Sequence, residues 1–260
     1  MAAKAGQERA AMQVLSSYDT ARTNGSVAAE FVCFPASNPS ANKHSVTLHS
    51  ASGLPMHLLA GRPVSARLTT SRAVQLVVKR AMDMVLATVA LAILAPVLVL
   101  LAIVICLTSK GPALFRQDRD GLNGAVISVY KFRSMYVDRA GVTPIGRFIR
   151  RTSMDELPQL LNVIRGDMSL VGPRPHPVGL LAAGGPYEAL VPYYHARHVM
   201  KPGISGWAQA NGLRGPTDNA TTARARIEHD IAYIQNFNLL LDIRIMIRTV
   251  LREFVTGTGY

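Results

Sequence analysis

The stretch MVLATVALAILAPVLVLLAIVICL, Met84 to Leu107, is apolar or small at every position except Thr88. At ~1.5 Å per residue it reaches roughly 36 Å as one straight helix, enough to cross a bilayer. Two features work against a plain crossing. Pro96 falls in the middle, where the missing N–H and the ring clash bend a helix. The flanks are basic on both sides, Arg72, Lys79 and Arg80 before and Lys110, Arg116 and Arg119 after. A spanning helix gathers its cations on one side. A helix over residues 72–109 that enters, bends at Pro96 and returns leaves both ends on one face of the membrane. A simple single-pass anchor is the alternative.

Composition agrees with membrane attachment without proving it. The 260 residues carry 28 Lys+Arg against 16 Asp+Glu, a net charge of +12, which attracts phosphates of any kind. Hydrophobic residues make up 49% and mean hydropathy is positive, high for a nucleic-acid-binding module. The 6% aromatic content also leaves few rings for base stacking, so nucleic acid is not an expected partner. The two cysteines, Cys33 and Cys106, suit neither a disulfide framework nor a metal site. No cleavable leader is expected, because the first adequate apolar stretch starts only near Met82.

Residues 1–70, rich in Ala, Ser, Thr, Asn and Pro without sustained periodicity, read as a mostly disordered arm. Residues 110–260 read as a compact basic domain. Asp120-Gly121-Leu122-Asn123-Gly124 signals a turn before a strand from Ala125 to Tyr130. Thr143-Pro144 opens an amphipathic helix with Ile145, Phe148 and Ile149 on one face. Helices are expected from Asn219 to Asn236 and from Leu239 to Phe254. In the second, Arg244, Arg248 and Arg252 stand opposite Leu240, Ile243, Ile247, Val250 and Leu251. Such faces suit either a lipid surface or the protein core.

Ser153-Met154-Asp155-Glu156-Leu157-Pro158-Gln159-Leu160 carries the chemistry. Its Ser-x-x-Glu spacing is that of a capping box ahead of an apolar face that stops at Gly166. Pro158 disturbs that bland reading, since it withholds an early helical donor and restricts Leu157. An irregular start can instead hold two carboxylates at a working angle. Ionised Asp155, with Arg147, Arg150, Arg151, Arg165 and Arg174 nearby in sequence, can attack phosphorus. Glu156 can help hold Mg²⁺, which bridges one or two carboxylates to substrate phosphates. Asp167 is a weaker third acid. Gly172-Pro173-Arg174-Pro175 displays an arginine on a stiff backbone, suited to phosphate. Lys201-Pro202-Gly203-Ile204-Ser205-Gly206-Trp207 is either a base or sugar platform or a packed turn. His176, His195 and His198 read as structural.

Taken together these segments resemble the bacterial sugar transferase family, the monotopic phosphoglycosyl transferases. The matching residues start at Lys79-Arg80-Ala81-Met82-Asp83 and the proline-broken helix. They continue through Gly111 to Gln117, Tyr130 to Met135, Ser153 to Leu160, Gly166 to Pro175, Lys201 to Gln209 and Asp242-Ile243, over about 79 to 255. The resemblance implies a mixed α/β, mainly helical monotopic membrane protein, with a proline-kinked re-entrant helix and a small cytoplasmic catalytic domain bearing interfacial amphipathic helices. It implies the bacterial inner membrane as location, with the catalytic domain on the cytoplasmic face. The implied reaction moves hexose-1-phosphate from UDP-galactose or UDP-glucose to polyprenyl (undecaprenyl) phosphate, releasing UMP, as the priming step of exopolysaccharide synthesis. Asp155 would be the nucleophile, and Asp155 and Glu156 the Mg²⁺ ligands. Arg174 with Pro173 and Pro175, together with Arg116, Lys131 and Arg133, would line the substrate site. A homo-oligomer or downstream glycosyltransferases are the expected protein partners. Where family members often carry Ser-Pro at the helix break, this chain has Ala95-Pro96. The rival from another class is a basic, membrane-anchored scaffold in which Asp155-Glu156 is only a helix cap.

Overall fold

The computed structural model describes residues 70–256 and, before them, strands β1 (Ser45–Leu48) and β2 (Met56–Leu59), which pair antiparallel. The disordered arm expected over 1–70 otherwise lies outside the described residues.

Helix α1 (Thr70–Thr108) has 39 residues and stays helical on both sides of Pro96. By length and composition it alone among the described residues suffices to cross a membrane. One face packs on the rest of the chain through Leu76, Ala87, Leu91, Leu94, Leu98, Leu101 and Ile105, a stripe recurring every three or four residues or whole turns. The opposite face leaves Ile93 71% and Leu107 82% exposed. Two core clusters meet near Pro96. Ala87 to Leu94 packs on Val129, Leu160, Val163 and Met168, and Leu98 to Ile105 on Phe132 and Ile149.

Charged side chains fasten both ends of α1. Arg72 donates to the Ile234 carbonyl at 2.7 Å, and Arg80 to those of Val163 and Ile164. Lys79 pairs with buried Asp242, while Asp83 accepts from Ser169 Oγ at 2.6 Å. The Lys79 to Asp83 segment is therefore a docking device. At the other end Arg133 spends its guanidinium on the carbonyls of Ile105, Ser109, Lys110, Gly111 and Pro112. Those carbonyls lie at the helix end and just beyond, where intrahelical donors run out.

Strands β3 (Leu114–Asp120) and β4 (Val126–Phe132) form an antiparallel hairpin with Phe115 opposite Lys131. Its turn is the one expected from the sequence, with Asn123 and Gly124 at φ 55° and 72°. Helix α2 (Pro144–Arg151) is capped by Thr143 Oγ1, which accepts from the Gly146 N–H at 2.8 Å. Its apolar face divides: Ile149 is buried, whereas Phe148 stays 51% exposed. Helix α3 (Gln159–Arg165) stops at Gly166, whose φ of 98° lets it cap the C-terminus.

Strand β5 (Ser169–Val171) runs parallel to β6 (Gly203–Ser205). Helices α4 (Ala220–Asn236) and α5 (Leu239–Thr256) complete the largest cluster, with Trp207, Tyr187, Tyr194, Ile227, Ile231 and Ile245 at its centre. In α5 the stripe Leu240, Ile243, Ile247, Val250 and Leu251 is exposed, while Leu241 and Ile245 point inward. Core packing does not explain that stripe. The architecture is the mixed helix-and-strand one expected, with one long apolar helix along its side.

Candidate active site

Ser153 to Leu157 does not build a capping box. Ser153 sits in the left-handed region at φ 54° without a side-chain cap bond, and Met154–Glu156 is a single 3-10 turn. A non-glycine residue there costs about 1–3 kcal/mol. Ser153, Asp155 and Glu156 all line a groove of about 890 Å³.

Glu156 is clamped from two sides. Its Oε1 accepts from Lys131 Nζ at 2.8 Å and from Arg174 Nη2 at 2.6 Å; its Oε2 accepts from Arg174 Nη1 at 3.3 Å. Burial pushes this carboxyl up, but Arg174 and Lys131 outweigh burial and hold it well below the ordinary carboxylate range. Asp155 behaves in the opposite way. Burial and the neighbouring Glu156 charge raise it to about 6, against the pull of Lys131, Arg150 and Arg174. The sequence suggests that the arginines favour ionised Asp155. In the fold Lys131 and Arg174 are engaged by Glu156 instead, leaving Asp155 ionised at neutral pH yet basic for a carboxylate.

Bonds between distant elements set this geometry. Asn162, fully buried on α3, donates to the Ser128 carbonyl at 2.8 Å and accepts from the Tyr130 N–H at 3.0 Å. That bond pair fixes the carboxylate turn relative to Lys131 on β4. The β5 and β6 ends are zipped by Gly203 N–H to the Pro173 carbonyl and Gly172 N–H to the Ser205 carbonyl, both at 2.9 Å. A Cβ on Gly203 would lie 2.1 Å from the Gly172 nitrogen, so only glycine permits the approach. The two Gly/Pro loops thus form one support for Arg174. Behind it, Asp230 accepts from the Arg174 backbone N–H and Arg197 donates to the Arg174 carbonyl. Arg197 and Asp230 pair with each other at 2.6 Å, at 1% and 2% exposure.

Of the sequence candidates, Asp155, Glu156, Lys131, Arg133 and Arg174 line the groove. Arg133 lines it only as a wall, since its donors serve main-chain carbonyls. Arg116 lies outside the lining and stacks over Tyr130 at 5.2 Å on the other face of the hairpin. Pro173 and Pro175 are buried supports whose carbonyls accept from Gly203 and Arg119. Asp167 contacts Asn162 and Arg165, not the carboxylate pair. Trp207 is 1% exposed in the core, which makes its loop a packed turn and not a platform. His176 does reach the groove wall, with Nδ1 3.0 Å from the Tyr194 hydroxyl. Burial, then Arg197, holds His176 well below its ordinary value and so keeps it neutral.

Arg119, Arg214, Arg226 and Asp230 also line the groove without having been singled out from the sequence as site residues, and so does Arg150, which the sequence offers only as a cation near Asp155. Arg119 had a signal: on β3 the alternation Phe115, Gln117, Arg119 puts it on the same face as the lining residues. Burial first, and Arg174 next, bring the Arg119 guanidinium down to about 10. Among the described residues no three His, Cys, Asp or Glu side chains form a metal cage. The acidic pair still fits a hard cation that takes most of its shell from water and substrate phosphates. Glu156 Oε2, with one long contact, is the less engaged of that side chain's oxygens.

The groove thus holds two carboxylates of opposed character and is rimmed by arginines. The bacterial sugar transferase family model matches residues 74–256. The chain belongs to that family. A Rhizobium leguminosarum bv. phaseoli protein named exopolysaccharide production protein PSS is 50% identical over 184 residues, covering 66% of this chain and 92% of that one. An Escherichia coli K12 UDP-glucose:undecaprenyl-phosphate glucose-1-phosphate transferase is 45% identical over 67% of this chain, but the match spans only 40% of its own length. The Caulobacter vibrioides protein of the same name is 46% identical, over 67% of this chain and 68% of its own.

Proposed function

We propose that this chain transfers hexose-1-phosphate from a UDP-hexose to undecaprenyl phosphate, releasing UMP, as the priming step of exopolysaccharide synthesis. The observation that carries the reading is the pairing of Asp155 and Glu156. One carboxylate is neutralised by Lys131 and Arg174, while the other faces the groove with its basicity raised. A nucleophile must be ionised yet reactive, and a value of about 6 gives both at neutral pH. An Asp155 oxygen bonds to the β-phosphorus as the bond from that phosphorus to the bridging oxygen breaks, and UMP leaves with the electron pair. A lipid phosphate oxygen then attacks the same phosphorus and frees Asp155. Arg119 and Arg174 supply the positive field in which a diphosphate is held, and Lys131 supports the charge that builds at the attacked phosphorus.

Asp155 and Glu156 would hold Mg²⁺ together with substrate oxygens. Bound there, the ion would supply charge neutralisation for the leaving phosphate. The names of the relatives favour UDP-glucose as the first donor to try.

We place the enzyme in the bacterial inner membrane, with α1 as a re-entrant anchor and the catalytic domain on the cytoplasmic face. The stripe from Leu76 to Ile105 and the ties at Arg72 and Arg133 support this topology. A helix held to one domain at both ends does not deliver one end to the far side of a bilayer. The exposed stripe of α5 suits the same lipid surface.

The deciding experiment uses membranes containing the protein, Mg²⁺ and UDP-glucose or UDP-galactose labelled at the β-phosphate, without lipid acceptor. Label attached to the parent and absent from Asp155→Asn supports the reading. No label with either donor, and no UMP on adding undecaprenyl phosphate, would leave the scaffold role standing.

A further inference from the structure

The groove is lined by two groups of residues, here called its limbs, on either side of the Lys131 and Arg174 contacts to Glu156. One limb is cationic: Arg119, Arg174, Arg214 and Arg226 gather where residues 211–217 meet α4. The other is apolar and follows the root of the β3–β4 hairpin, through Pro112, Leu114, Phe115, Met135 and Val137. The two cations on Glu156 come from the two limbs, Lys131 from the hairpin and Arg174 from the support of α4. Along one face of β3 the lining reads Phe115, Gln117, Arg119, apolar to cationic over about 14 Å.

We infer that the apolar limb is the seat of the prenyl chain of the lipid phosphate acceptor, and that the cationic limb takes the donor's diphosphate. The inference rests on the two-step reading proposed above and assigns a site within it. Four observations carry it. Leu114, Phe115, Met135 and Val137 are 43%, 50%, 46% and 67% exposed, a concentration of apolar side chains that packing does not require. The limb abuts the end of the apolar helix, because a Cβ on Gly111 would meet Val137 at 3.1 Å and Arg133 at 3.4 Å. Arg133 locks the limb to that end through its bonds to Ser109, Lys110 and Gly111. Leu107, 82% exposed, adds an apolar side chain at that end of α1. Charge also separates the occupants. A chain whose only charge is one terminal phosphate matches a limb with Lys131 at its inner end and hydrocarbon beyond. A nucleoside diphosphate carries its charge along its middle and matches the arginine limb.

The arrangement places both substrates against one carboxylate from different directions. The sugar phosphate can then remain on Asp155 while UMP departs by one limb and the lipid phosphate arrives by the other.

The test uses the full chain in detergent micelles, so that bilayer docking does not limit the rate. Phe115→Ser/Met135→Ser removes the limb's apolar character at exposed positions, and Phe115→Leu/Met135→Leu preserves it. The parent and both variants are labelled with β-phosphate-labelled UDP-glucose, then discharged with undecaprenyl phosphate over a range of concentrations. Folding is checked by a Trp207 fluorescence melt. The serine pair is expected to take label within two-fold of the parent rate. Its half-saturating lipid concentration should rise at least ten-fold, and the leucine pair should stay within three-fold of the parent. An unchanged lipid dependence in the serine pair overturns the assignment. So does a parallel loss of labelling, which would give the limb to the donor's nucleoside. A parent that takes no label defeats the two-step reading itself, and the assignment with it.

Discussion

Asp155→Asn should stabilise the protein while abolishing its labelling. Asp155 is raised from 3.8 to about 6, first by burial and then by the Glu156 charge. The unfolded chain therefore releases this proton before the folded one, and stability falls as pH rises through roughly 4 to 6. At ~1.4 kcal/mol per unit the full penalty above that window is about 3 kcal/mol, and partial solvent contact reduces it to about 2. An amide carries no charge at any of these pH values, so the substitution removes the penalty. In a chain of this size that corresponds to a rise in Tm of roughly 4–8 °C at pH 7.5. The gain should shrink to well under half by pH 4.5, where the parent's carboxyl is largely protonated in the fold. Trp207, single in the sequence and 1% exposed, reports the melt by fluorescence. An Asp155→Asn protein that melts at or below the parent at pH 7.5, or whose gain is the same at both pH values, would refute the view that the fold holds this carboxylate at a cost.

Glu156→Gln should act in the opposite direction, lowering stability by about 2–3 kcal/mol at pH 7.5 because Lys131 and Arg174 lose their counter-charge. Since Glu156 is held below its ordinary value of 4.5, that deficit should shrink as pH falls below it; a pH-independent deficit in the melt would speak against the clamp. Arg133→Met should cost about 3 kcal/mol or more, from several main-chain bonds at about 1 kcal/mol each. Its KM for UDP-glucose should stay within two-fold, and a ten-fold rise with an intact melt would return Arg133 to substrate binding. Asp230→Asn should lower kcat/KM for the donor at least ten-fold in folded protein, because the Arg174 backbone loses an ionic partner; steady-state rates set beside a fluorescence melt decide it. Single cysteines at Ser71→Cys and Lys110→Cys, in a chain without Cys33 and Cys106, should both react only from the cytoplasmic side, and labelling of either by a periplasmic reagent would exclude the re-entrant anchor.

What the sequence determined by itself is whatever depends on short-range order. The apolar length from Met84 to Leu107, the turn at Asp120 to Gly124, the Thr143 cap and the Gly166 stop all rest on the conformational preferences of a few neighbouring residues. The adjacent carboxylates and the Pro-framed Arg174 were legible for the same reason, and their order along the chain carried the family. Tertiary structure decided which charges meet. Asp155 and Glu156 are neighbours in sequence, yet their proton affinities part because Lys131 and Arg174 arrive from elements 25 and 18 residues away and both choose Glu156. Arg133 and Arg116 resemble phosphate ligands in sequence, but one satisfies carbonyls at the end of α1 and the other stacks outside the groove. Asn162 and the Arg197–Asp230 pair give almost no local signal, since their work is to join distant segments. A carboxylate's reactivity follows from desolvation and from charges a few ångströms away, and those distances exist only once the chain has closed on itself.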